Sequence, residues 1–114
     1  MVTALKRRFL RKVLVQGGYE VIEAVDGEQS LRQAPSGHVD LVITDLIMPG
    51  EEGLETIQAL RREAPGVGII AIVGAFGDQF LRTAQIMGAS AVLNKPVSAE
   101  LLLAKVTEVL QLRR

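Results

Sequence analysis

Two charged residues stand at the ends of apolar runs in this sequence. Asp45 follows Val42-Ile43-Thr44, and Lys95 follows Ala91-Val92-Leu93-Asn94. Neither type sits cheaply beside a core unless it is paired or partly solvated. If both runs are strands of one sheet, the two side chains meet at one sheet edge. A carboxylate and an ammonium placed there can form an ion pair, or they can hold a phosphoryl group between them. Residue types alone favour the plain ion pair. The Met48-Pro49-Gly50 that follows also allows Asp45 simple turn chemistry.

The elements that would position the pair alternate along the chain. Val2, Leu5, Phe9, Val13 and Leu14 recur at helical spacing, and Gly17-Gly18 closes that helix. A strand over 19–24 and a turn at Asp26-Gly27 lead to a helix over 28–34, stopped by Pro35. A strand over 39–44 precedes Asp45, and Leu54, Ile57, Leu60 and Ala64 mark a third helix ending at Pro65-Gly66. The run 67–73 is nearly all apolar and suits a strand covered on both faces. A helix over 79–87, Gly88 and a strand over 91–94 follow. Ser98 caps the last helix, with Val97 and Leu102 at the staple positions and Glu100 in the first turn.

Strands joined through helices run parallel, with the helices on both faces, so the expected class is α/β with a doubly wound parallel sheet. The pattern starts on a helix, where this class normally starts on a strand. In such sheets ligands bind beyond the carboxyl ends of the strands, where Asp45 and Lys95 fall.

Composition narrows the options. The chain has 114 residues, enough for one domain. Thirteen basic residues balance thirteen acidic ones, which argues against a nucleic-acid-binding domain that relies on a basic surface. Lys6, Arg7, Arg8, Arg11 and Lys12 cluster, and are read as a solvated helix face. With 48% hydrophobic residues there is still no apolar run of membrane-spanning length and no signal-peptide pattern, so a cytoplasmic protein is expected. The absence of cysteine removes disulfides and thiolate metal sites. His38, the only histidine, is read as a surface loop residue. The glycines of 66–68 and 74–77 are read as turns, since no G-x-G-x-x-G or Walker lysine accompanies them.

The segment Asp45-Leu46-Ile47-Met48-Pro49-Gly50-Glu51-Glu52-Gly53 resembles the phosphoacceptor loop of response-regulator receiver domains. Lys95-Pro96 is similar to that family's lysine and its following proline. Gly18-Tyr19-Glu20-Val21, Asp26-Gly27 and Gly88-Ala89 fall where receivers carry such residues, so the likeness covers the whole chain. It implies a flavodoxin-like fold and a single domain over 1–114. Its function would be two-component signalling rather than catalysis. A histidine kinase or phosphotransfer protein would donate a phosphoryl group to Asp45, Lys95 would contact it, and an unknown downstream protein would read the result. Magnesium would be held by Asp45 and the backbone carbonyl of Ile47.

Two departures qualify the resemblance. Receivers carry an acidic pair at the end of a first strand. By this alignment Met1 falls just after that pair, so the first strand and both acids are expected to be missing. Glu20, Glu23 and Asp26 are not expected to replace them, so magnesium binding is doubtful. A sheet without its first strand has two interior edges unpaired. Truncation of a longer receiver, or pairing with a second copy through a dimer or strand swap, is then expected. Receivers also carry Ser or Thr at the end of the fourth strand, where this chain has Val73, and Val92 stands where an aromatic is common. The alternative reading is therefore a degenerate receiver that binds protein without being phosphorylated.

Overall fold

The computed structural model describes residues 2–5, 8–24, 29, 32–33, 39–46, 51–73, 88–94 and 96–112. For residues 3–5, 24, 45–46 and 51–54 it describes the backbone. Five strands are present: β1 Val2–Leu5, β2 Val21–Ala24, β3 Leu41–Leu46, β4 Gly68–Val73 and β5 Ala91–Asn94. Three described helices accompany them: α1 Arg8–Gln16, α2 Glu51–Glu63 and α3 Ala99–Leu112. Gln29, Arg32 and Gln33 are helical, in keeping with the second expected helix. The helix expected over 79–87 lies outside the described residues. No helix among the described residues is long and apolar enough to cross a membrane.

The strands form one parallel sheet in the order β2-β1-β3-β4-β5. Alternating side chains explain how both faces become buried. Leu41, Ile43, Ile70 and Ile72 join Leu10, Val13 and Leu14 of α1 and Leu102, Val106 and Val109 of α3 on one face. Val42, Ile69, Ala71 and Val73 join Ile57 and Leu60 of α2 on the other. β4 is buried along its whole length, as its apolar run requires. Gly68 opens that strand because there is no room for a side chain: a Cβ would stand 2.7 Å from Val109 Cγ1 and 2.9 Å from Leu41 Cδ1.

The expectation of a missing first strand is corrected. Val2–Leu5 is β1, and it lies between β2 and β3, pairing Val2 with Val21 and Leu41, and Ala4 with Glu23 and Ile43. The Val2 N–H donates to the Glu20 carbonyl at 2.8 Å, and the Val2 side chain is 1% exposed. Val2 and Leu5 fit helical spacing, but a helix starting there would leave its own first N–H groups orphaned. It would also leave the facing edges of β2 and β3 without partners. Filling the slot satisfies both edges, so the strand wins and α1 starts only at Arg8. With β1 in place, the physical reason to expect a borrowed strand is gone.

Local signals set the ends of the helices. Gly18 has a φ of +91° and ends α1, with Gly17, Gly18 and Tyr19 N–H groups donating to Val13, Val15 and Leu14 carbonyls at 3.0 Å. Ser98 caps α3: its Oγ accepts from the Leu101 N–H at 3.1 Å. Leu102 is fully buried, and Val97 packs against the same core.

Candidate functional site at the carboxyl edge of the sheet

β3 continues one residue past Asp45, so the acid is part of the strand and not the first residue of a loop. Its backbone is in register with Ile72 of β4. The next rung is the last one across three strands, Leu46 with Val73 and Val73 with Asn94. Asp45 thus stands one residue before the final rung on β3. Lys95 follows that rung in sequence on the far side of β4. Lys95 itself and Ile47 lie outside the described residues. Val73 sits between the two strands that lead to Asp45 and Lys95, and is 3% exposed. It offers the edge an apolar side chain where a hydroxyl was sought. Val92, two residues earlier on β5, pairs with Ala71 and packs on the α2 face.

The anchor of β5 to β4 lies at the opposite edge of the sheet. Arg61, in the last turn of α2, donates from Nη1 to the Pro65 carbonyl at 2.9 Å and the Val67 carbonyl at 2.8 Å. Its Nε and Nη2 donate to the Gly88 carbonyl at 3.1 and 2.8 Å, and Nη2 also reaches Ser90 Oγ at 3.3 Å. Ser90 Oγ accepts from the Ile69 N–H at 3.0 Å, while the Ser90 N–H donates to the Ile69 carbonyl at 2.7 Å. These bonds set Ala91 opposite Ile70, and counting along the strands brings Asn94 opposite Val73. Burial lowers the Arg61 pKa below the ordinary arginine value, yet the guanidinium remains charged. Arg61 is a structural residue that the sequence motifs do not single out. The available signal was a basic residue in a last helical turn before Pro65-Gly66.

A cavity of about 400 Å³ also lies at this amino edge, lined by Arg61, Pro65, Ser90, Lys105, Glu108 and Leu112 among others. Asp45 is not among its lining residues, and the Arg61 donors that border it are already engaged. Of the acids set aside as substitutes, Glu23 faces Arg11 at 3.3 Å and Glu20 is exposed. Asp26 lies outside the described residues, as do His38 and Gly74. Arg8, Arg11 and Lys12 are exposed, in keeping with a solvated face.

A five-stranded parallel sheet in the order 2-1-3-4-5, covered on both faces and carrying an acid at the end of its third strand, defines the flavodoxin-like class of α/β proteins. Within that class the chain belongs to the response regulator receiver domain family, whose model matches residues 3–107. It is 36% identical to the CAI-1 autoinducer sensor kinase/phosphatase CqsS of Vibrio cholerae, over 88% of this chain and 15% of that protein. It is also 36% identical to the uncharacterized transcriptional regulatory protein YrkP of Bacillus subtilis, over 92% of this chain and 44% of that protein. The solved chemotaxis protein CheY4 of Vibrio cholerae superposes with a TM-score of 0.82 at 28% identity, covering 95% of this chain and 96% of that one. The chain spans less than half the length of the curated relatives it matches. Its family is a signalling domain of two-component systems.

The described residues do not by themselves supply a donor set for magnesium, which the family implies. Among the described residues no group of three or more His, Asp or Glu side chains is placed to hold a metal. β1 supplies Ala4 and Leu5 at its carboxyl end, and the sequence continues Lys6-Arg7. Magnesium takes oxygen ligands and gives up its waters reluctantly, so the described residues alone make a poor host.

Proposed function

We propose that this chain is the receiver module of a two-component signalling protein and that Asp45 is its phosphoacceptor. A carboxylate oxygen of Asp45 attacks the phosphorus of a phosphohistidine on a kinase or phosphotransfer protein. The P–N bond breaks, the histidine leaves as neutral imidazole because its other ring nitrogen carries a proton, and Asp45 becomes an acyl phosphate. Lys95 offsets charge on the transferring group, which is catalysis by positioning and electrostatics. A downstream protein then reads the altered surface. The carrying observation is the register: Asp45 one residue before the final rung Leu46–Val73–Asn94, with Lys95 next in sequence after it.

A second reading has an observation of its own. Val73 is buried and apolar, so no hydroxyl at that position can bond a phosphoryl group. This favours a module that binds protein through its surface without being phosphorylated. Intact mass after incubation with acetyl phosphate separates the two, with Asp45→Ala as control. Slow uptake of one phosphoryl group that disappears in the variant is the expected result. No uptake would hand the protein to the second reading.

A further inference from the structure

The cavity at the amino edge carries a charge that phosphoacceptor chemistry at Asp45 does not use. Its wall forms where Gly68 and Ala91 open β4 and β5, at the other end of the sheet from the Asp45–Ile72 rung. Arg61 spends its five N–H groups on neutral oxygens, the carbonyls of Pro65, Val67 and Gly88 and the hydroxyl of Ser90. No carboxylate among the described residues pairs with it, so its charge borders the cavity with no donor left to accompany it. The donors come from two other lining side chains. Ser90 Oγ accepts from the Ile69 N–H and from Arg61 Nη2, which occupies both lone pairs and leaves its own proton to donate. Lys105 Nζ has three protons and gives one to Glu108 Oε2 at 3.2 Å. The polar lining thus sets two cations, Arg61 and Lys105, against one carboxylate. Val92, Val109 and the exposed Leu112 add apolar wall. The volume of about 400 Å³ falls in the range of small-ligand sites. A metal ion would meet more positive charge than negative here, whereas a carboxylate on an apolar body matches both the charge and the walls.

We propose that this cavity binds a small organic carboxylate. Lys105 and Ser90 hold its anionic group in the field of Arg61, and its apolar body lies against Val92, Val109 and Leu112. The site is independent of Asp45 and stands even if the phosphoacceptor reading falls. The full chain, labelled with ¹⁵N, is titrated with sodium benzoate at constant pH and ionic strength. Benzyl alcohol, which lacks the charge, and sodium acetate, which lacks the ring, are titrated separately. Benzoate should shift the amide signals of Ser90, Ala91 and Val109 saturably, and both controls should bind at least about tenfold more weakly. Lys105→Gln should weaken benzoate by about tenfold, the low end for a hydrogen bond to a charged group. Glu108→Gln removes the negative charge from the same wall and should tighten benzoate about threefold. Neither side chain belongs to the core, so both variants should keep the dispersed spectrum of the parent. No saturation by roughly 20 mM benzoate, where a millimolar site is filled, overturns the proposal. Benzyl alcohol binding as tightly as benzoate overturns it too, as does a Lys105→Gln variant that binds benzoate unchanged.

Discussion

The Arg61 guanidinium donates twice to a single carbonyl, that of Gly88, through Nε at 3.1 Å and Nη2 at 2.8 Å. Gly88 has a φ of +119°, and a Cβ there would lie 3.1 Å from both Cβ and Cγ of Arg61. Glycine thus supplies both the backbone turn and the close approach that the arginine clamps. The clamp ties the end of α2 to the start of β5.

Arg61→Lys keeps the charge but loses the planar fork. A lysine ammonium cannot serve Pro65, Val67 and Gly88 carbonyls together, so at least one part-buried acceptor is left unpaired. The expected loss of stability is about 1–3 kcal/mol, read from the urea midpoint at unchanged m. Amide exchange should quicken in β5 more than in β1. Equal quickening in both strands would mean that Arg61 supports the fold generally and does not anchor β5.

Val73→Thr tests how the carboxyl edge is closed. Val73 is 3% exposed within an apolar cluster that includes Val42, Ile57 and Ala71. A hydroxyl added there without a partner should cost about 1–3 kcal/mol, again measurable by urea unfolding. A change below about 0.5 kcal/mol would show that the hydroxyl reaches water or a polar partner at the edge. The position could then host the hydrogen bond that receivers make, and valine would be a local loss easily reversed.

Features that local chemistry decides were legible from residues alone. Ser98 caps α3 because its side chain bonds an N–H three residues away, and Gly18 ends α1 because the left-handed turn is cheap only for glycine. The placement of Asp45 followed from an apolar run ending in an acid, though the strand proved to include Asp45 and Leu46. Features decided by distant partners were not legible. Arg61 bonds carbonyls up to 27 residues away, and nothing in its own neighbourhood announces them. β1 is the sharper case. Val2, Leu5 and Phe9 suit a helix, and only the open slot between β2 and β3 makes Val2–Leu5 a strand.

That competition gives a backbone test at Thr3. In a starting helix, Thr3 would stand in the first turn, where proline is tolerated because the N–H is unpaired anyway. In the structure Thr3 is in the middle of an interior strand, paired with Ile22 on one side and Val42 on the other. Proline there removes a ladder donor and crowds a neighbouring strand, as it does in any central strand. Thr3→Pro should therefore cost about 3 kcal/mol or more, enough to lower the thermal midpoint by many degrees in a domain of this size. Thermal unfolding by circular dichroism reads the midpoint, and amide exchange in β2 and β3 locates the damage. Because β1 separates those two strands, both should lose protection together while α3 and β5 lose less. A midpoint close to that of the parent would mean that the N-terminal residues do not fill the slot between β2 and β3.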